Sequence, residues 1–500
     1  MIENTYKAQP AATTTPRVKH TITAIPGDGI GPEITSATQK IIQAAGLEIE
    51  WETVEAGKKV FEAGLASGVS KECLQSIRKN KVALKGPLET PIGYGGKSAN
   101  VTLRKMFETF GNIRPVREIP GIHTPFSGRG IDLVVVRENV EDLYAGIEHM
   151  QTPDVAQCLK LISTKGCYKI SELAFEIASA EKRSSVHVAT KANIMKKTEG
   201  MMKQTFETVS KSYPKIQAKH LLIDNCAHQL VINPEQFEVI MTTNMNGDII
   251  SDLTSGLVGG LGIAPSANIG HEYAIFEAVH GSAPDIAGKD IANPTAMIQS
   301  AVMMLRHLGE FQVATQIEQA LFVTLQSGQG YPVDIAAGRP VVGTRQFTDM
   351  VVANLGTQSA LSKPRTYDKV KVPQRESVTV INKPKTRKVV GTDIFIEFDG
   401  TPEVLGDLIE DAAEGTDFKL KMISNRGTMV YPANGVDTDC VDHWRCRMTL
   451  NPELTGKDID DNSLWQLLNR ISQNGLCWMH IEKLNQFDGE NAYTKAQGEA

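Results

Sequence analysis

The chain has 500 residues, 41% hydrophobic and 22% charged, with a formal net charge of −6. That length implies two to four compact units, and the composition is globular rather than disordered or fibrous. The mild charge argues against nucleic acid or an acidic membrane surface as a principal partner, and no apolar run approaches the roughly 18–20 residues of a membrane helix.

The expected elements follow in chain order. Residues 1–19, rich in Thr, Ala and Pro, lack the apolar core of a secretion signal and read as a flexible arm. From His20 the chain alternates short apolar strands with helices: HTITAIPG, PEITSATQKIIQAAG, LEIEWETV, KVALKGP, IDLVVVREN, CYKISELAFEIASAEKR, SSVHVATK, HLLID, FEVIMTTN and IFEAVHG. This is the rhythm of an α/β fold. A further helix runs through PTAMIQSAVMMLRHLG. Residues 361–388 are basic, Pro-containing and without a helical stripe, so they read as an interdomain linker. After it, strands and helices come in the order β-α-β-β-α-β of a ferredoxin-like unit. Val404, Leu405, Leu408, Ile409 and Ala412 fall on one helical face there, and three of the four tryptophans suggest a core of its own. Cys73, Cys158, Cys167, Cys226, Cys440, Cys446 and Cys477 are scattered and form no CxxC pair, which fits a reducing, cytoplasmic setting.

Three groups of residues carry chemistry. In KSANVTLRK, Asn100 and Arg104 face one way on a helix that starts near Ser98, whose hydroxyl sits beside free backbone N–H groups. Arg114 and Arg137 add planar donors suited to a carboxylate-rich ligand. Singly, each arginine is better read as a surface or salt-bridging residue; Arg137 weakens that reading because it ends an apolar strand, where open α/β sheets bind ligands. Asp248 and Asp252 lie four apart in a glycine-rich apolar setting and suit Mg²⁺ or Mn²⁺, with Asp224 at the end of a strand as a third oxygen source. Lys191 and Tyr144 are candidate proton carriers. PGDGIGPE is not a Rossmann fingerprint and reads as turn and packing chemistry, whereas HGSAPDIAGKDIANP reads as a ligand-clasping loop.

These motifs (PGDGIGPE, KGPLETP, SxNVxLR, RENxEDxYAG, ATKxN, NGDIISD and HGSAPDIAG) resemble those of the isocitrate/isopropylmalate dehydrogenase family over about residues 21–356. VVGTDIFIE, LKMISNRGT and WMHIEKLNQFDG extend the resemblance to the long bacterial isocitrate-oxidising type. The resemblance implies a two-domain isopropylmalate dehydrogenase-like fold with a central mixed sheet, followed by a C-terminal α+β ferredoxin-like domain at 389–490. Residues 20–125 and 280–360 would form a large cofactor-binding domain, and 126–279 a small domain with a dimer clasp. It further implies a homodimer with shared active sites, leaving open its pairing into a tetramer. Ser98, Asn100, Arg104, Arg114 and Arg137 would bind substrate carboxylates. Asp248 and Asp252 would hold the metal with Asp224 of the partner subunit, and Tyr144 would work with Lys191 of the partner subunit on the protons. Glu89, Thr90, His280, Gly281, Ser282, Ala283, Asp285, Ile286 and Asn293 would line the cofactor. NADP-using relatives carry Lys-Tyr where this chain has Asp285 and Ile286, and a carboxylate repels a 2′-phosphate but accepts from a ribose diol, so NAD is expected. Arg345 keeps NADP as the alternative. Related hydroxy acids as substrate, and a non-catalytic regulatory subunit, are the competing readings; the presence of Tyr144, Lys191, Asp248 and Asp252 argues against the latter.

Overall fold

The computed structural model describes residues 19–89, 98–374, 384–433, 435, 437–454 and 459–499. All but the last residue of the expected N-terminal arm, Thr90, and part of the expected linker lie outside them.

Ten strands build one large sheet. Their spatial order is Ile49–Thr53, His20–Ile25, Val82–Lys85, Ala274–Ala278, Pro265–Ile269, Gly111–Arg117, Asp132–Glu138, Val239–Thr242, Ser185–Thr190 and Gln217–Leu222. Both ends of the sheet pair in parallel, while Pro265–Ile269 and Gly111–Arg117 run antiparallel to their neighbours. The sheet is therefore mixed, as expected. Its inner strands are buried along nearly their whole length because helices pack against them; Thr164–Ala180 and Asn244–Val258 both rest on Asp132–Glu138. That explains why these strands read as continuous apolar runs rather than alternating ones.

The glycine-rich turn after the first strand is held by packing. Gly29 has φ +57°, and a Cβ there would lie 1.9 Å from the Ser282 carbonyl oxygen, to which Ile30 N–H donates at 2.8 Å. The turn and the 279–294 loop are thus pressed together with no room for a side chain.

Residues 359–374 carry no helix or strand, yet they do not hang free. Arg117 donates to Ser362 Oγ at 2.6 Å, Arg365 pairs with Asp132, the Arg306 guanidinium stacks 3.8 Å from the Tyr367 ring centre, and His271 Nδ1 meets the Pro373 carbonyl at 2.5 Å. This strap closes one side of an apolar cavity of about 170 Å³, walled by residues such as Ile113, Ile177, Val302, Phe322 and Val370.

The C-terminal unit is an antiparallel sheet whose four main strands stand in the order Phe418–Asn425, His443–Leu450, Arg387–Glu397, Cys477–Phe487, with Pro402–Ala413 and Asp461–Gln473 as its helices. The ferredoxin-like order is met, and Thr428–Tyr431 and Glu490–Asn491 extend the sheet at its edges. Leu405, Ile409 and Ala412 are buried as expected, but Val404 is 51% exposed. Of the tryptophans, Trp444 fills the core, Trp478 only packs against it, and Trp465 is 57% exposed. The core rests instead on Ile394, Ile396, Phe418, Met448, Leu467 and Ile471.

Candidate active site

The helix Asn244–Val258 sets Asp248 and Asp252 one turn apart on a common face. Two neighbouring antiparallel strands bring Arg114 and Arg137 against it. Gly247 makes the approach feasible, since a Cβ there would lie 2.5 Å from Arg137 Cγ. Arg137 Nε and Nη2 donate to Asn244 Oδ1 at 3.1 and 2.8 Å, and its Nη1 pairs with Asp248. Arg114 reaches Ser251 Oγ at 2.6 Å, Asp252 at 3.3 Å and Asp248 at 3.4 Å. Tyr144, in the short turn Leu143–Ala145, donates its hydroxyl to Asp248 Oδ2 at 2.7 Å and lies with its ring 5.0 Å from the Arg137 guanidinium.

Burial and the nearby Arg104 and Arg114 pull Arg137 down to about 10. Arg114 is lowered by burial and by Arg104. Burial works against ionisation of Asp248, but Arg137, the Tyr144 hydroxyl and Arg114 outweigh it and hold the carboxyl below its usual range. Asp252 moves up, through burial and in spite of Arg114, with Asp248 adding repulsion. Burial, then the bond to Asp248, raises the Tyr144 phenol. Three arginines that repel one another and two carboxylates with unequal proton affinities describe a site short of anionic ligand and rich in oxygen donors.

Arg104 comes from the helix Ala99–Met106, with Ser98 at its N-cap as expected. Its Nη2 donates to Glu277 Oε1 at 3.2 Å, while its Nε and Asn100 Oδ1 are buried without a hydrogen-bond partner among the described residues. Lys191 and Asp224 do not join Asp248 and Asp252; they pair with each other at 2.8 Å, with Asp224 63% exposed. Asp224 also belongs to the first turn of the helix Ile223–Ile232, not to the end of a strand. Among the described residues no group of three or more acidic, His or Cys side chains is placed to hold a metal within one chain.

The 279–294 segment is irregular, as expected of a clasping loop. Ser282 Oγ donates to Glu89 Oε1 at 3.3 Å, bringing together two of the expected cofactor residues. His280 is lowered by burial, with Nδ1 against the Gly281 carbonyl at 2.9 Å and Nε2 buried without a partner among the described residues. Gly281 and Asp285 are exposed, Ile286 is half-buried, and Ala283 has φ +40°. Asn293 donates to Asp334 Oδ2 at 3.0 Å and accepts from Thr295 N–H at 3.0 Å. Arg345, 84% exposed, lies 3.3 Å from Asp290.

Comparison with known proteins agrees with this geometry. A family profile described as isocitrate/isopropylmalate dehydrogenase matches residues 21–351, and one described as the bacterial isocitrate dehydrogenase C-terminal domain matches 387–499. The chain belongs to the isocitrate/isopropylmalate dehydrogenase family. Within that family it is 58% identical to "Isocitrate dehydrogenase [NADP]" of Thermus thermophilus, with 96% of each chain covered. It is 40% identical to the protein of the same name from Rickettsia bellii, covering 96% of this chain and 99% of that one. The crystal structure of the TT0538 protein from Thermus thermophilus superposes with a TM-score of 0.93 at 57% identity, again over 96% of each chain. Both named relatives are NADP enzymes by name, against the NAD expected from Asp285 and Ile286.

The sequence reading missed Asn244 and Ser251, which hold the two strand arginines, and the buried pair Lys85 and Glu277 behind Arg104. A lysine ending VALK and a glutamate inside AIFEA, each in an otherwise apolar strand, were the available signals.

Proposed function

We propose that the chain is an isocitrate dehydrogenase, converting isocitrate to 2-oxoglutarate and CO₂ with a nicotinamide cofactor and Mg²⁺ or Mn²⁺. The observation that carries this reading is the convergence of Arg104, Arg114 and Arg137 on the helix face bearing Asp248 and Asp252, with Tyr144 bonded to Asp248. The three guanidinium groups, with Ser98 and Asn100, receive the substrate's carboxylates; Arg114 and Arg137 exchange their present contacts to Asp248 and Asp252 for them, while Arg104 keeps Glu277 behind it. Asp248 and Asp252 fit a hard cation: both offer oxygens to solvent, at 37% and 53% exposure, and their mutual repulsion falls when one is bound. That cation supplies Lewis-acid polarisation of the substrate's oxygen atoms. Tyr144, with its proton held firmly at neutral pH, delivers it to the enolate carbon left after CO₂ departs.

A homodimer with shared sites belongs to the same reading. Among the described residues of one chain, two acidic side chains, Asp248 and Asp252, face the arginines, while Lys191 and Asp224 pair with each other elsewhere. Exposed apolar side chains lie close by in sequence: Val231, Ile232 and Ile249 on the two helices carrying Asp224 and Asp248, and Met150 on the hairpin Glu148–Met150/Ala156–Cys158. Exposed apolar side chains on the elements that carry the site residues fit a subunit contact there.

For the cofactor, the names of the relatives favour NADP, and exposed Arg345 is a cation available to a 2′-phosphate. A specific observation keeps NAD as the second reading: Asp285 is exposed on the clasping loop, where a carboxylate opposes a phosphate dianion. Initial rates with D-isocitrate and Mn²⁺, comparing NADP with NAD across concentrations, decide it. Turnover with neither would overturn the reading and favour another hydroxy acid or a non-catalytic subunit.

A further inference from the structure

Behind the arginines lies a chain of buried polar groups. Glu277, 5% exposed on the strand Ala274–Ala278, accepts from Lys85 Nζ at 2.5 Å, Arg104 Nη2 at 3.2 Å and Asn268 Nδ2 at 2.7 Å. Asn268 Oδ1 in turn accepts from Asn112 Nδ2 at 2.9 Å, and Asn112 Oδ1 accepts from Arg114 Nε at 2.7 Å. Lys85, Asn268 and Asn112 are all buried, at 2%, 1% and 0% exposure. Lys85 Nζ also donates to the Gly86 carbonyl at 2.9 Å. Burial disfavours the Glu277 carboxylate, yet Lys85 and then Arg104 hold its proton affinity far below normal, so it is charged.

A charge buried this deeply is costly unless every lone pair is used, and here the donors lead to two arginines that face the ligand side. We propose that Glu277 is a positioning residue: it orients Arg104 directly and Arg114 through Asn268 and Asn112. Arginine binds a carboxylate well only when its planar fork is correctly turned, so freezing the fork from behind lowers the ordering cost of substrate binding. Lys85 neutralises the glutamate through the oxygen that Arg104 does not touch, leaving Arg104 as a net cation. The network spans four adjacent strands, from Val82–Lys85 to Gly111–Arg117, so the two arginines share one rigid support.

This inference rests on the reading of Arg104 and Arg114 as substrate ligands, and steady-state kinetics of the full-length enzyme separate the two. Glu277→Gln is expected to raise the isocitrate KM about tenfold while kcat and the cofactor KM change less than about twofold. Glu277→Asp should recover part of the loss, and Asn268→Ala, which cuts only the branch to Arg114, should show a smaller rise. Combined with Arg104→Lys, Glu277→Gln should add less than its separate effect, because both act on one contact. Should Glu277→Gln not fold, Lys85→Met with Glu277→Gln removes both buried charges and carries the same expectation. An unchanged isocitrate KM in the glutamate variants, beside a raised one in Arg104→Lys, overturns the positioning role and leaves the substrate reading standing. A lowered melting temperature with unchanged KM also overturns it, as a purely structural effect. An unchanged KM in Arg104→Lys overturns both.

Discussion

Two arginines, each 1% exposed, are treated in opposite ways by this fold. In the C-terminal unit Arg447 is fully matched: Nε and Nη2 bind the two oxygens of Asp393 at 2.7 Å each, Nη1 binds Glu499 at 2.7 Å, and Nη2 reaches the Thr494 carbonyl at 3.1 Å. Despite burial, Asp393 and Glu499 drive its pKa upward. Arg137 in the large sheet has one carboxylate partner, Asp248, and two arginine neighbours that repel it, and it is pulled down to about 10. The first cluster is closed and ties the chain's last residues into a sheet. The second is left in surplus of positive charge facing a carboxylate that is partly open to solvent. Buried charge alone does not mark a functional site; buried charge left short of opposite charge does.

The contrast is open to direct attack. Arg447→Met leaves Asp393 with only Arg445 at 3.9 Å and Glu499 with Lys421 at 3.0 Å, and should cost the C-terminal unit about 3 kcal/mol in denaturant unfolding with kcat/KM of the folded enzyme unchanged. Arg137→Lys should do the reverse, lowering kcat/KM for isocitrate about a hundredfold or more while the melting temperature stays near that of the parent. Comparable activity losses in the two variants would erase the distinction drawn between the clusters. Tyr144→Phe removes a proton donor but no charge and should lower kcat about tenfold or more with little effect on the isocitrate KM, read in steady-state assays.

The smallest effect concerns Glu138, next to Arg137 but turned into the core. Burial lifts its carboxyl from 4.5 to about 8, against the pull of the Val140 N–H. The folded chain thus keeps a proton that the unfolded chain releases. Its contribution is complete below about pH 4.5 and is lost as the pH rises through about 8. Glu138→Gln can still accept the Val140 and Glu141 N–H bonds, so its melting temperature should fall less than the parent's between about pH 5 and 9, measured calorimetrically.

Much of this is legible in the sequence because the signals are local. Strand-helix alternation, the four-residue spacing of Asn100 with Arg104 and of Asp248 with Asp252, and a β-α-β-β-α-β order all depend on neighbours along the chain. The misses have a common cause in long-range contact. Asn244 and Glu277 matter through partners 107 and 173 residues away, at Arg137 and Arg104. Trp465 and Val404 carry strong apolar labels, but the way their helices sit on the sheet turns them outward. LLID continues an apolar run and so points to a strand end at Asp224, whereas the chain turns into a helix at Ile223. The expectation of NAD rests on two side chains of one loop; a choice between cofactors depends on every cation within reach of that loop, and those come from distant elements such as the one bearing Arg345.

The strap has a consequence for anyone who would shorten this protein. Cutting before Arg387, where the C-terminal sheet begins, would leave the strap and its contacts to Arg117, Asp132, His271 and Arg306 in place; cutting near Ala360 would remove Arg365, Tyr367 and Val370 from the cavity wall. The second cut lets water onto Ile113, Ile177 and Phe322, and it frees Asp132 and Arg306 from the partners that cover them. Scissors alone therefore serve only beyond the strap; a version cut before it needs new side chains sewn over the wound.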